Sequence, residues 1–105
     1  MGYCIYIGFP EEIGNVQEMF SFSKEQHGEL FLQLRRAGIS GVWLFEMQEY
    51  DEFMNYTEIE VKDLVSEIKK ILEIDAFRDN TILNTLLEIS EIAIPREMQL
   101  MGVGE

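Results

Sequence analysis

The chain has 105 residues, of which 47% are hydrophobic and 11% aromatic, and its formal net charge at pH 7 is −12. This composition excludes an intrinsically disordered chain and predicts a single globular domain over residues 1–105, with no internal disulfide because there is one cysteine. The charge argues against direct binding to nucleic acid or to a membrane surface, and the lack of a leader pattern or a bilayer-length apolar run predicts a cytoplasmic protein.

The first predicted element is a buried strand over residues 3–9, YCIYIGF, which is rich in β-branched and aromatic residues. Residues 10–22 give conflicting signals. Two acids directly after Pro10 favour a helix start, whereas Gly14 interrupts the apolar pattern that a helix would need. We therefore predict a loop or a short helical turn in this segment.

A helix is predicted over residues 24–37. Ser23 and Gln26 have the spacing of a capping box, in which each side chain accepts from the backbone N–H of the other residue. Gly38 stands where a left-handed C-terminal cap favours a residue without a side chain. After this helix, residues 42–48, VWLFEMQ, are predicted as a central strand, which would form a βαβ unit of parallel strands with residues 3–9.

Residues 46–60, EMQEYDEFMNYTEIE, are called the acidic segment throughout. They contain six of the 20 acids and no base, so they carry half of the net charge. Tyr50, Phe53, Met54 and Tyr56 are interleaved with the acids. This combination of one charge sign with large apolar side chains is the most informative feature of the sequence.

The clearest helix covers residues 57–73, where apolar residues recur at intervals of three and four. Thr57 and Glu60 predict a second capping box at its start. A third helix is predicted over residues 81–92, with Asp75 and Asp79 as candidate caps before it. Two alternatives stay open for the C-terminal residues. They form an edge strand at 98–103 or a loosely held tail.

These elements together predict an α+β fold, or a small α/β fold. The single domain would have three helices packed on a small sheet of two or three strands, in the order β-α-β-α-α.

The sequence offers little support for catalysis or metal binding. Cys4 lies inside an apolar strand, and His27 sits just ahead of Leu30 and Phe31 on their helix face. Both are more simply interpreted as packed side chains than as a nucleophile and a base. One cysteine and one histidine cannot supply a zinc site, and the acids fit no EF-hand register. A magnesium ion held by two carboxylates is the alternative to a solvated acidic face. We predict that the protein is not an enzyme and has no metal or cofactor.

The acidic segment has two interpretations. It is an exposed loop with Phe53 or Tyr56 anchored on the core, or it is a surface that binds a partner. In the second case the carboxylates would face lysine and arginine residues of a basic protein, while the aromatic rings supply apolar contact area. The residues predicted to bind the partner are Glu46, Glu49, Tyr50, Asp51, Glu52, Phe53, Tyr56, Glu58 and Glu60.

In small size, acidity and lack of catalytic motifs, the chain resembles the immunity proteins of bacterial toxin systems, including contact-dependent inhibition, and nuclease inhibitors of the barstar kind. The resemblance rests on size and charge over the whole chain rather than on a motif. It implies an inhibitor that binds one basic cognate toxin, with its acids in place of nucleic-acid phosphates. The alternatives are an anti-CRISPR type of nucleic-acid mimic and a small enzyme or accessory subunit.

Overall fold

Three α-helices and a four-stranded antiparallel sheet make up the part of the chain that the computed structural model describes, residues 2–9, 11 and 16–105. The strands are β1 (Gly2–Gly8), β2 (Val16–Ser23), β3 (Met54–Tyr56) and β4 (Gln99–Gly104). The helices are α1 (Lys24–Arg36), α2 (Glu58–Leu72) and α3 (Thr81–Ala93). The radius of gyration, 13.0 Å, is that expected of a single domain of this length. The α+β class is therefore confirmed, but the number and order of the strands differ from the prediction.

β1 confirms the predicted buried strand and lies inside the sheet, whose strand order is β2-β1-β4-β3. It pairs antiparallel with β2 on one side and with β4 on the other. Because side chains alternate between the two faces of a strand, Tyr3, Ile5 and Ile7 share one face. All three are buried and belong to a core that also contains apolar residues of the three helices.

The helices begin and end close to the predicted positions, because their signals are local. Both capping boxes form, with Ser23 and Gln26 at the start of α1 and Thr57 and Glu60 at the start of α2. Gly38 has a φ of 73°, the left-handed conformation expected after α1. None of the helices in the described part of the chain combines the length and apolarity that crossing a membrane requires.

The cap of α3 differs from the prediction. The side chain of Asn80, rather than that of Asp75 or Asp79, accepts a hydrogen bond from the N–H of Leu83 at 2.9 Å. Asp75 lies instead in a short 3-10 turn, Asp75–Phe77, that connects α2 to α3. The cap therefore lies immediately before the first helical residue, where its side chain can reach the free amides of the first turn.

The prediction of a loop or helical turn over residues 10–22 is wrong for residues 16–22, which belong to β2. Residues 10 and 12–15 of that prediction lie outside the described residues. Phe20 and Phe22 of β2 stand opposite Ile5 and Tyr3 of β1, so the strand is stabilised by cross-strand apolar pairs. Pairing with a neighbour therefore outweighs the weak helical pattern of this segment.

The predicted strand over residues 42–48 is also wrong, and with it the parallel βαβ unit. Residues Leu44–Met47 form a 3-10 helix, and every strand pair in the described sheet is antiparallel. Leu44 and Met47 are buried, whereas Val42 is exposed. A spacing of three residues, rather than the alternation of a strand, decides which side chains reach the core.

The C-terminal residues form a strand, β4, but it lies inside the sheet. Neither predicted alternative, an edge strand or a loosely held tail, is therefore correct. β4 pairs with β1 on one side and with β3 on the other. Gly102 of β4 lies under the Tyr3 ring, where an added Cβ would be 2.7 Å from the Tyr3 hydroxyl oxygen. β3 forms the other edge of the sheet and lies within the acidic segment, which is thereby attached to the core.

Candidate partner-binding surface

The first half of the acidic segment and the residues before it follow a three-residue spacing. Three backbone N–H groups between residues 46 and 52 donate to the carbonyl three residues earlier, at 3.2 Å in each case. At three residues per turn, side chains at positions i and i+3 point in the same direction. This geometry holds within the 3-10 helix Leu44–Met47. Glu46, Glu49 and Glu52 have the same spacing in the sequence and are called the acidic row, and Val42, Phe45 and Gln48 are the second row.

The two rows line the same open pocket, together with Met54 of β3, and its volume is about 430 Å³. We call it the acidic pocket. Val42 is 69% exposed, while Phe45 and Met54 are partly buried against the core. The residues of the acidic row are exposed. The pocket thus combines apolar side chains, two of them fixed by the core, with carboxylates that face solvent.

The acidic row accounts for three of the six acids predicted to bind a partner. Asp51 and Glu58 are exposed but do not line the acidic pocket. Glu60 is half-buried, and its Oε1 accepts a hydrogen bond from the Thr57 N–H at 2.9 Å. The six acids therefore do not act as one group, because Glu60 already serves the cap of α2.

No carboxylate of the acidic segment has an ion-pair partner within the described part of the chain. The ion pairs found there are Lys69–Glu91, at 3.8 Å, and Arg78–Asp75, and neither involves residues 46–60. No hydrogen bond to the carboxylates of the acidic row is found among the described residues either. These carboxylates are therefore available to cations from outside the protein.

The predicted aromatic anchors differ in exposure. Phe53 is 61% exposed and lies at the surface just before β3. Tyr56 is fully buried, and its hydroxyl donates to the backbone carbonyl oxygen of Trp43. Burial also raises the pKa of the Tyr56 hydroxyl. Tyr56 is thus a core residue and cannot contact a partner in this structure, whereas Phe53 can.

His27 of α1 holds the acidic segment from the core side. It is 3% exposed, and its Nε2 donates to the backbone carbonyl oxygen of Met47 at 2.7 Å. Its ring stacks on Tyr3 with centroids 4.6 Å apart and meets the edge of the Tyr50 ring at 5.4 Å. Burial lowers the pKa of His27, so the ring is neutral near pH 7. The prediction of a packed histidine is confirmed.

Tyr50, the third predicted anchor, is half-buried. Its hydroxyl donates to the backbone carbonyl oxygen of Glu105 at 2.9 Å, and its own carbonyl oxygen accepts from Gly104 at 3.0 Å. The Nζ of Lys24 lies 5.1 Å from the centroid of its ring. These contacts tie Tyr50 to α1 and to the end of β4, so most of its hydrogen-bonding capacity is used within the chain.

Glu67 of α2 is a positioning residue that the sequence did not reveal. Its Oε2 accepts from the N–H groups of Val42 at 3.0 Å and Trp43 at 3.1 Å, and its Oε1 accepts from Leu44 at 2.8 Å. An added Cβ at Gly41 would overlap the Glu67 carboxylate, so only glycine permits this approach. In the sequence Glu67 is one acid among several on the polar side of its helix, and nothing marks its partners 23 to 25 residues away.

Cys4 lies on the face of β1 opposite Tyr3, next to two carboxylates. Donor atoms of Cys4, Glu18 and Glu105 lie within 4.8 Å of one another, and the thiol donates to Glu105 Oε2 at 3.2 Å. Burial, followed by the contacts with both carboxylates, raises the pKa of the Cys4 thiol to about 11. A thiol that stays protonated is a poor nucleophile, and a metal would have to displace its proton.

Comparison of the chain with protein-family models, curated protein sequences and solved structures found no match. Its function is therefore argued from the arrangement of side chains described above.

Proposed function

We propose that this protein is an inhibitor that binds a basic protein through the acidic segment and neutralises it, in the way that immunity proteins neutralise nuclease toxins. One observation carries the proposal. Three exposed carboxylates of the acidic row line one pocket together with apolar side chains, and no ion pair within the described chain involves them. This is the composition of a surface that a cationic partner would complete.

Both the strength and the sign of the protein's electric field favour a basic partner. A net charge of −12, half of it from 15 consecutive residues, produces a negative potential that extends over about one Debye length, roughly 8 Å at physiological salt. Such a potential accelerates association with a positively charged surface and repels phosphate groups. It therefore favours a basic protein over nucleic acid as the partner.

Exposed apolar side chains within the same region support an interface rather than a solvated acidic loop. Val42 is 69% exposed and Phe53 is 61% exposed. Protein interfaces combine a desolvated apolar centre with a polar rim, and aromatic residues are enriched among the side chains that contribute most binding energy. Two large apolar side chains near exposed carboxylates fit this description of an interface.

The two side chains considered for nucleophilic catalysis, Cys4 and His27, are engaged elsewhere. Cys4 is buried and protonated, and His27 is buried with one ring nitrogen bonded to a carbonyl oxygen. Neither lines the acidic pocket. A binding role that requires no chemistry is therefore the simpler proposal.

The test is a variant in which the six acids of residues 46–60 are replaced by their amides. Because Glu60→Gln keeps a side-chain oxygen that can accept from the Thr57 N–H, the capping box of α2 and the fold should be preserved. We expect affinity for the partner captured from native lysate, which should be basic, to fall by more than tenfold, with a weaker dependence on salt concentration.

A matched control removes the same amount of charge from elsewhere on the surface. The control replaces six exposed acids, Glu11, Glu29, Glu73, Asp79, Glu88 and Glu97, by their amides. It should retain most of the affinity. Equal losses in the two variants would show that net charge alone is responsible, and unchanged affinity in the first would refute the proposal. Capture of a large nucleic-acid-binding complex instead of a small basic protein would favour a nucleic-acid mimic.

A further inference from the structure

The acidic pocket is an open depression whose lining suits a long cationic side chain. Its volume is about 430 Å³, and it is lined by Val42, Phe45, Gln48, Met54 and the acidic row. Sites that bind small molecules typically have a largely apolar lining, and a few polar groups fix the orientation of the bound molecule. Here the polar groups are the Gln48 amide and three exposed carboxylates, those of the acidic row.

We infer that the acidic pocket receives an arginine side chain of the basic partner. This inference rests on the proposed function, because it identifies the group through which the partner is held. The methylene groups of the arginine would pack on Val42 and Met54, and its guanidinium group would lie against Phe45 within reach of the acidic row.

Arginine fits this lining better than lysine for two reasons. The guanidinium group is planar and weakly hydrated, so it stacks on an aromatic ring, here that of Phe45. It also carries five N–H donors in a fixed arrangement, which can serve more than one carboxylate at a time. A lysine ammonium group is more strongly hydrated and would lose more of its hydration on contact with the apolar side chains.

The pocket is held in shape before any partner binds. The Phe45 ring meets the edge-on ring of Phe31 with centroids 5.6 Å apart. The start of the segment is held by the three hydrogen bonds to Glu67, and its middle by the hydrogen bond between His27 and the Met47 carbonyl oxygen. A site that is already ordered loses less conformational entropy when a side chain enters it.

The experiment measures binding of three capped tripeptides to the isotopically labelled full chain by nuclear magnetic resonance at low salt. The probes are acetyl-Gly-Arg-Gly-amide, its lysine counterpart and its citrulline counterpart, which has the shape of arginine without the charge. The arginine peptide should shift the backbone signals of Val42, Phe45, Met54 and the acidic row. It should bind about three- to tenfold more tightly than the lysine peptide, and the citrulline peptide should bind most weakly.

Two variants separate the charge contribution from the stacking contribution. Replacing the acidic row by glutamine should weaken binding of both cationic peptides by about tenfold or more. The matched triple variant Glu73→Gln, Asp79→Asn and Glu88→Gln removes the same charge from exposed positions outside the pocket and should bind nearly as well as the parent. Phe45→Leu should reduce the preference for arginine while leaving the affinity for the lysine peptide largely unchanged.

Failure of this inference can be distinguished from failure of the proposed function. Equal affinity for the arginine and lysine peptides, or signal shifts outside the pocket, would overturn the inference whatever the six-acid variant does to partner capture. Undiminished capture by the six-acid variant would instead overturn the proposed function. Equal weakening of peptide binding by the two triple variants would show a general charge effect and would also overturn the inference.

Discussion

The carboxylate of Glu67 on α2 accepts a hydrogen bond from the backbone N–H of Leu44 at 2.8 Å, across 23 residues of sequence. The same carboxylate accepts from Val42 and Trp43. Three consecutive N–H groups at the start of a 3-10 helix are thus satisfied by one side chain, which also opposes the positive end of that helix. The position of the acidic pocket depends on this contact, because Val42 lines it.

Glu67→Ala should therefore lower the free energy of unfolding by about 2–4 kcal/mol, since several charge-assisted hydrogen bonds are lost together. Glu67→Gln should have a smaller effect, because the amide keeps one acceptor oxygen. Some stability should still be lost, because the NH₂ group would face backbone N–H donors. Urea denaturation measures both values. Glu73→Gln, an exposed change at the end of the same helix, is the control and should be nearly neutral. A neutral Glu67→Ala would contradict the contact.

Stability should depend on pH through His27. Its pKa in the folded protein is lowered from 6.5, chiefly by burial, while the carbonyl oxygen of Met47 and the charge of Glu49 oppose this effect. The unfolded chain therefore binds a proton more readily than the folded protein. The contribution of His27 to the free energy of unfolding should be constant above about pH 7. Stability should fall as the pH drops through 6.5 toward the pKa of His27 in the folded protein.

The measurement is urea denaturation at about pH 7.5 and about pH 5.5, a range in which most carboxylates remain ionised. His27→Gln, which can still donate to the Met47 carbonyl oxygen, should lose most of the difference between the two values. If the variant and the parent lose the same amount of stability on acidification, His27 is not the group responsible.

The cap of α3 can be tested at two adjacent residues, because only one of them should contribute to stability. Asn80→Ala should lower the free energy of unfolding by about 1 kcal/mol, because the N–H of Leu83 loses its acceptor. Asp79→Asn should be nearly neutral, since Asp79 is exposed and does not cap the helix. If thermal denaturation shows that Asp79→Asn loses more stability than Asn80→Ala, Asn80 is not the cap of α3.

This pair of residues also illustrates how far the sequence could predict the structure. The three helices were predictable, because capping boxes and apolar spacing act within a few residues. The sequence placed the cap of α3 among the acids before it, but Asn80 is the residue directly before the first turn. Local signals thus identify an element more reliably than they identify its terminal residue.

The strands were harder to predict because their partners are distant in sequence. β2 forms through phenylalanines that face β1, and β4 closes a sheet between strands that lie about 45 and 95 residues earlier. The charge of the acidic segment was visible in the sequence. The grouping of Glu46, Glu49 and Glu52 in one pocket was not, because the predicted strand over residues 42–48 contains Glu46 alone and no local pattern relates it to the other two.

Two glycines provide a matched prediction about packing. Gly102→Ala would place a Cβ 2.7 Å from the Tyr3 hydroxyl oxygen and 2.9 Å from its ring, so we expect a loss of about 1–3 kcal/mol from overpacking. Gly28→Ala, in α1, meets nothing within 4 Å and should increase stability by roughly 0.5–1 kcal/mol through helix propensity. Chemical denaturation of the two variants should give changes of opposite sign, and changes of the same sign would refute the packing argument.

The aromatic residues of the acidic segment provide the most direct separation of binding from folding. Phe53→Ser changes a side chain that is 61% exposed, so stability should change by less than about 0.5 kcal/mol while affinity for the captured partner falls. Tyr56→Phe should do the reverse. It removes the donor to the Trp43 carbonyl oxygen inside the core, which should cost about 1–2 kcal/mol of stability without changing affinity. If Tyr56→Phe weakens partner binding at a temperature where it remains folded, then the segment must rearrange on binding, and the exposed surface described here is not the one that the partner contacts.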